Sequence, residues 1–247
     1  MTDVSNGAHR NHSGNQHLCS TQVTYPGGVV SFTFDDFPKT ALSVGGELLR
    51  KYGGRGTYYV SLGLMGTESE LGPLFDINDI RSAHRDGHEL ACHTYSHLNC
   101  KNASSEEILT DVNANANALA PIIDNYAFVN FAFPFGAVSP DAKSALSGSF
   151  NTCRGIKSGM NSGTVDLTSL ASTHIYSRDF DVTTLRGMID ENRRLGGWLI
   201  FYTHDVREVP SLYGCTPSQL EAIISYAAER INILPVRDAL RCVNSGL

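Results

Sequence analysis

Four short stretches place chemically capable side chains just after apolar, strand-like runs. They are Asp35-Asp36, His93 to His97, Pro134-Phe135-Gly136 and Thr203-His204-Asp205. In parallel α/β proteins active sites form at the carboxyl ends of the strands, so residues far apart in sequence are expected to meet at one mouth. Together these stretches offer a carboxylate pair, two closely spaced imidazoles, a turn with a backbone N–H and a further imidazole. That set suits metal-assisted hydrolysis.

Each stretch also has a plainer reading. In Asp35-Asp36 one carboxylate can bind a cation while the other moves a proton, yet an acidic pair before Phe37-Pro38 is also ordinary turn chemistry. His93 and His97 are spaced i, i+4, which on a helical turn puts both imidazoles on one face to grip a metal. Thr94 and Ser96 between them can fix the turn by hydrogen bonds to nearby backbone. The alternative is two surface or core histidines at a coincidental spacing. His88-Glu89 does not complete a zincin motif, because the step from Glu89 to His93 is one residue too long. One Asp with two His leaves an open coordination position, the mark of a catalytic rather than a structural zinc. The Pro134-Phe135-Gly136 turn can aim an amide at a developing oxyanion, or simply join a strand to a helix. His204 follows the apolar run Trp198–Thr203 and suits a general acid. A satisfied core histidine is the competing reading.

The elements that must position these residues alternate between strand and helix. Val29–Phe34, Thr57–Ser61, His88–Cys92, Tyr126–Phe133 and Trp198–Thr203 read as strands, with shorter pieces near Phe150–Arg154 and His174–Ser177 and a last strand over Ile231–Val236. Helical spacing of apolar residues covers Thr40–Tyr52 and Asp181–Leu195. Asp76 reads as a helix N-cap, Ser104 with Glu107 and Thr216 with Gln219 as capping boxes, and Ser139-Pro140 as a helix start. Strands alternating with helices predict a parallel sheet closed, or nearly closed, into a (β/α) barrel. The expected organisation is a flexible polar arm over residues 1–24, carrying His9, His12 and His17, then one domain over 25–247.

The net charge of −6 gives no electrostatic reason to expect nucleic acid or an anionic membrane as partner. No apolar run approaches a membrane span. Six cysteines are scattered without the close pairs of a zinc–thiolate site. With no apolar leader near the N-terminus, free thiols and a cytoplasmic location are expected.

The same residues resemble the polysaccharide deacetylase family, the NodB-homology domain of carbohydrate esterase family 4. The resemblance rests on Ser31–Asp36 (SFTFDD), Asp86–His97 (DGHELACHTYSH), Phe133–Gly136 (FPFG) and Ile200–His204 (IFYTH), with Gly56–Val60 (GTYYV) similar to the family's second strand. It implies a distorted or incomplete (β/α) barrel. It implies Asp35 as the base, Asp36, His93 and His97 as ligands of a divalent metal, usually zinc, and His204 as the acid. The Phe135 amide would help hold the oxyanion, with Pro134 and Tyr95 as substrate contacts. The implied substrate is a glycan or amino sugar that loses an N-acetyl group. Hydrolysis of a cyclic amide or formamide, action on O-acetyl groups, and a silent carbohydrate-binding relative are the alternatives.

The chain departs from the family in two places. Ala132 stands where the family often has an arginine that orients the base, and Tyr176–Asp181 only loosely resembles the fourth motif. Arg154, on the next strand-like piece, is the candidate surrogate.

Overall fold

The computed structural model describes residues 20–245. In chain order the first elements are β1 (Ser20–Val23), β2 (Val29–Phe34), a π-helical turn (Ala41–Gly46) running into α1 (Glu47–Lys51), and β3 (Thr57–Val60). The hairpin β4 (Glu68–Ser69) and β5 (Gly72–Pro73) follows, then α2 (Ile77–Arg85) and β6 (Glu89–Cys92). Next come α3 (Ser105–Leu119), β7 (Asn130–Ala132), α4 (Pro140–Leu146), β8 (Thr152–Arg154), β9 (Gly163–Asp166) and β10 (Thr173–His174). The chain ends with α5 (Val182–Leu195), β11 (Trp198–Thr203), α6 (Pro217–Ala228), β12 (Asn232–Ile233) and α7 (Val236–Ser245).

β2 and β11 are buried at every position. A continuous apolar run demands this of a parallel strand covered on both faces. They pair in register from Val29 with Trp198 to Phe34 with Thr203, and anchor a parallel sheet in the order β10-β11-β2-β3-β6-β7-β8. β12 takes the place beside the start of β2, and β3 the place beside its end. An isolated parallel bridge from Arg154 to Leu170, just before β10, joins the two edges. The result is the incomplete parallel barrel that the alternation predicts.

The helices start where their caps do. Asp76, Ser104 and Thr216 each form a reciprocal capping box, and Ser139 and Asp181 accept from the first helical amides. Ile80 of α2, Ile189 of α5 and Ile223 of α6 then bury against β2 and β3 in the largest core cluster. Each such side chain contributes about 1.5–3 kcal/mol through burial.

Three expectations change. Residues Ser20–Val23, assigned to the arm, form β1 and pair antiparallel with β9, and Val23 is buried; residues 1–19 lie outside the described residues. The last strand shrinks to β12, because the apolar positions beyond it recur at helical spacing and form α7. The β4–β5 hairpin, which had no sequence signal, stands at the carboxyl end of β3.

Candidate active site

The site begins where β2 ends. Asp35 still pairs its amide with the Thr203 carbonyl at 3.0 Å. Asp36 and Phe37 then turn to left-handed backbone, φ 59° and 49°. That reversal explains how two adjacent carboxylates line one cavity.

The histidine turn follows β6. His93 keeps a strand-like bond from its amide to Val60. Thr94 and His97 have φ of 61° and 58°, so the segment is an irregular turn and not the helical turn that the i, i+4 spacing suggested. It still brings both imidazoles to Asp36: His97 Nε2 lies 3.2 Å and His93 Nε2 3.7 Å from Asp36 Oδ1. The turn is pinned from α3. Asp111 accepts from the amides of Tyr95 and Ser96 at 2.6 and 2.9 Å and from the Ser96 hydroxyl at 2.8 Å. Phe135 is a further left-handed residue, φ 60°. Five of the six non-glycine residues with positive φ among the described residues belong to these three turns. Backbone held in such regions persists only where its surroundings over-determine it, and it concentrates at functional sites.

Ligand atoms of Asp36, His93 and His97 all lie within 4.8 Å of one another. Asp36 Oδ1 is buried with no hydrogen-bond partner in the protein, a costly state unless something else binds it. His93 Nδ1 lies 2.8 Å from the Ala132 carbonyl. A donated Nδ1–H there leaves the Nε2 lone pair facing Asp36, the usual arrangement behind a metal-binding histidine. Burial holds the His93 imidazole down to about 3, with His97 adding to the shift, and burial lowers His97 as well. Both rings are therefore neutral donors near pH 7. Burial, with the neighbouring Asp35 charge, raises the Asp36 carboxyl to about 6. A divalent cation among these three would remove that penalty, and the one-oxygen, two-nitrogen donor set fits zinc.

Asp35 has a different partner. Arg154 Nη2 donates to both of its carboxylate oxygens, at 2.5 and 2.6 Å. The guanidinium is sandwiched between the rings of Tyr59 and Tyr202, 4.8 and 4.9 Å from their centroids. Arg154 Nη1 donates to Ser172 Oγ and the Gly155 carbonyl. Arg154 pairs directly with Ala132 across β7 and β8, so the two residues share one face of the sheet. Where an arginine at position 132 would have stood, an alanine leaves room and the neighbouring strand supplies the cation. Burial pushes the Asp35 carboxyl up, but the charge and hydrogen bonds of Arg154 lead the effects that outweigh it and hold it below the ordinary carboxylate range.

His204 Nδ1 sits 3.1 Å from the Tyr213 carbonyl. The cavity of about 490 Å³ is lined by Asp35, Asp36, His93, His97, Phe135 and His204, with Tyr176, Tyr202 and Tyr213 beside the last. The Phe135 ring also packs on His97, centroids 4.3 Å apart. Gly136 follows at φ 62°, and a Cβ there would collide with Ile156.

Two expected substrate contacts are not in this lining. Pro134 is buried beneath the turn. Tyr95 projects outside the cavity, its ring close against Gly63. Asp111 and the three tyrosines are not among the site residues expected from the sequence. Tyr202 and Tyr176 lie within the stretches Ile200–His204 and Tyr176–Asp181, where the neighbouring histidine and carboxylates carried the signal, and Tyr213 lies in none.

Comparison with known proteins agrees with this geometry. A family model, Polysaccharide deacetylase, matches residues 22–148. A chitin deacetylase of Arthroderma benhamiae is 30% identical over 113 residues, 45% of this chain and 29% of the relative, so the match spans less than a third of that protein. Among solved structures, the chitin deacetylase of Colletotrichum lindemuthianum superposes with a TM-score of 0.57 at 20% identity, covering 88% of this chain and 89% of the other. A family 4 acetyl xylan esterase from Clostridium thermocellum, in complex with a cobalt ion, gives 0.57 at 20% identity over 86% and 90%. The matched region contains the carboxylate pair and both candidate ligand histidines, and the barrel extends the likeness over the rest of the domain: the chain belongs to the polysaccharide deacetylase family.

Proposed function

We propose that this chain hydrolyses N-acetyl groups of amino sugars in a glycan, oligosaccharide or glycolipid, using a divalent metal held by Asp36, His93 and His97. The observation that carries the reading is the pairing of that ligand cluster with Asp35 and His204 in one cavity, the first carboxylate kept ionised by Arg154. The bound cation supplies a water of lowered pKa and polarises the acyl carbonyl.

The protein's own groups do the rest. Asp35 stays charged beside Arg154 and accepts the proton of the attacking water. Charge grows on the acyl oxygen as the C–O bond forms, and the Phe135 amide faces it from the turn. With Nδ1 of His204 held by the Tyr213 carbonyl, Nε2 is the atom left to hand a proton to the leaving nitrogen. The C–N bond then breaks to acetate and a free amine.

The test is acetate release from N-acetylglucosamine oligomers by zinc-reconstituted wild type beside Asp35→Asn and His93→Ala. Loss of activity on chelation, with rates of both variants down about 10²–10⁴-fold or more, is expected. Full zinc occupancy with no acetate from any oligomer would reject the reading, and formate or ring-opened product from other amides would replace it with hydrolysis of a different C–N bond.

A further inference from the structure

The cavity is a pit and not a groove. Each strand on the path β10-β11-β2-β3-β6-β7-β8 sends at least one residue from its carboxyl end into the lining, and the Arg154–Leu170 bridge joins the outer strands. On the β3 side the wall is the β4–β5 hairpin, which contributes Glu70 and Leu71.

That hairpin is tied down on both flanks. Its base pairs Leu74 with Thr67 at 2.9 Å, and the Phe75 amide donates to Phe37, next to Asp36, at 3.1 Å. Leu71 and Leu74 are buried in the main core. From the other flank Arg207, in the loop after β11, donates to the Glu70 carbonyl at 2.9 Å. The same guanidinium pairs at 2.8 Å with Asp205, a fully buried carboxylate beside His204. Asp205 is fixed in turn by Ser211, whose amide and hydroxyl donate at 2.9 and 2.5 Å. Gly214 packs so closely on Asp205 that a Cβ would clash. The hairpin therefore spans from the end of β3 across the end of β2 to the loop that carries His204. Elsewhere on the rim the lining residues Phe135 and Ile156 are open to solvent, 64% and 45% exposed.

A polymer bound at an interior unit needs a way out on both sides of the reacting group. Here one side is a braced wall, and about 490 Å³ is within the range of pockets that enclose a single small ligand. We propose that the pit takes a chain-terminal unit of an N-acetyl amino-sugar oligomer, with the remaining units leaving over Phe135 and Ile156. Resting on the deacetylase reading, this restricts the substrate class to short oligomers and chain ends. Arg207 is the positioning residue that keeps the wall closed.

The experiment has two arms on the zinc-loaded full chain. Mass spectrometry locates the free amine in products from N-acetylglucosamine dimer through hexamer. Calorimetry measures dimer and hexamer binding to Asp35→Asn, which needs no turnover. Deacetylation at one end only, with equal dimer and hexamer affinity, is expected. Arg207→Ala should add interior products and raise hexamer over dimer, and Arg207→Lys should partly restore the wild-type pattern. Interior deacetylation by wild type, or affinity that grows with length, overturns the proposal whether or not acetate is released. Length-independent binding without acetate rejects the deacetylase reading and leaves the pit assignment standing. Absence of both binding and acetate overturns both.

Discussion

At the residue scale, the site depends on how one arginine is placed. Arg154 and Asp35 are both almost fully buried, and each compensates the other's charge. Removing one partner of such a pair leaves an uncompensated buried charge and costs about 3–5 kcal/mol. Arg154→Ala should therefore lower stability by that order in a urea titration. It should also act on Asp35, the proposed base. Asp35 is held below the ordinary carboxylate range by charges among which Arg154 ranks first, so without it the carboxyl rises. A base works only when deprotonated, so the acidic limb of the kcat/KM profile should move to higher pH. Arg154→Lys keeps a charge but loses the planar fork stacked between Tyr59 and Tyr202, so it should recover only part of the activity. An acidic limb that does not move in Arg154→Ala would show that the guanidinium is structural only.

At the element scale, the irregular turns depend on regular neighbours. The His93–His97 turn owes its shape to Asp111, which projects from α3 and takes three hydrogen bonds from Tyr95 and Ser96. Asp111→Ala leaves Asp36, His93 and His97, the proposed metal ligands, in place but frees the turn. Zinc affinity, read by competition with a chelator, should fall on the order of 10-fold, with helical circular dichroism unchanged. Unchanged affinity would mean that Ser61, which donates to the His93 carbonyl, and Thr94, which accepts from the Leu98 amide, suffice to hold it. The same contrast explains what was readable in the chain. Capped helices and the apolar strands β2 and β11 announce themselves by local patterns, because local chemistry makes them. The reversal at Asp36 and the left-handed Thr94 and His97 do not, because non-glycine residues adopt such backbone only under tertiary constraint. Ser20–Val23 looked like tail because its pairing partner, Gly163–Asp166, lies far along the sequence. The Arg154–Asp35 pair was legible as a vacancy at Ala132 and a candidate surrogate on the next strand, and the cross-strand register of β7 and β8 shows how the two positions come together.

At the scale of the whole molecule, burial of ionisable groups away from the reaction sets the acid limit of the fold. His88 opens the strand path to β6 and is nearly fully buried. The Gly56 amide donates to its Nδ1 at 2.9 Å, and its ring packs edge-on against Tyr58. Burial, reinforced by Arg55, depresses its pKa from 6.5 to about 4. A depressed histidine is neutral in the fold but takes up a proton in the unfolded chain once the pH drops below 6.5. The unfolded state then binds more protons, so stability is full above that pH and declines as the pH falls toward 4. The shift corresponds to roughly 3 kcal/mol from this residue. Metal-free His93 titrates in the same direction, so wild type and variant must be compared in the same apo state. His88→Asn keeps an acceptor for the Gly56 amide but cannot be protonated. Its urea midpoint should fall less steeply than that of wild type between pH 6.5 and 4, with the two curves converging at the acid end. Parallel curves across that window would show that His88 is charged or exposed in the folded protein, and the acid limit would then belong to the carboxylates.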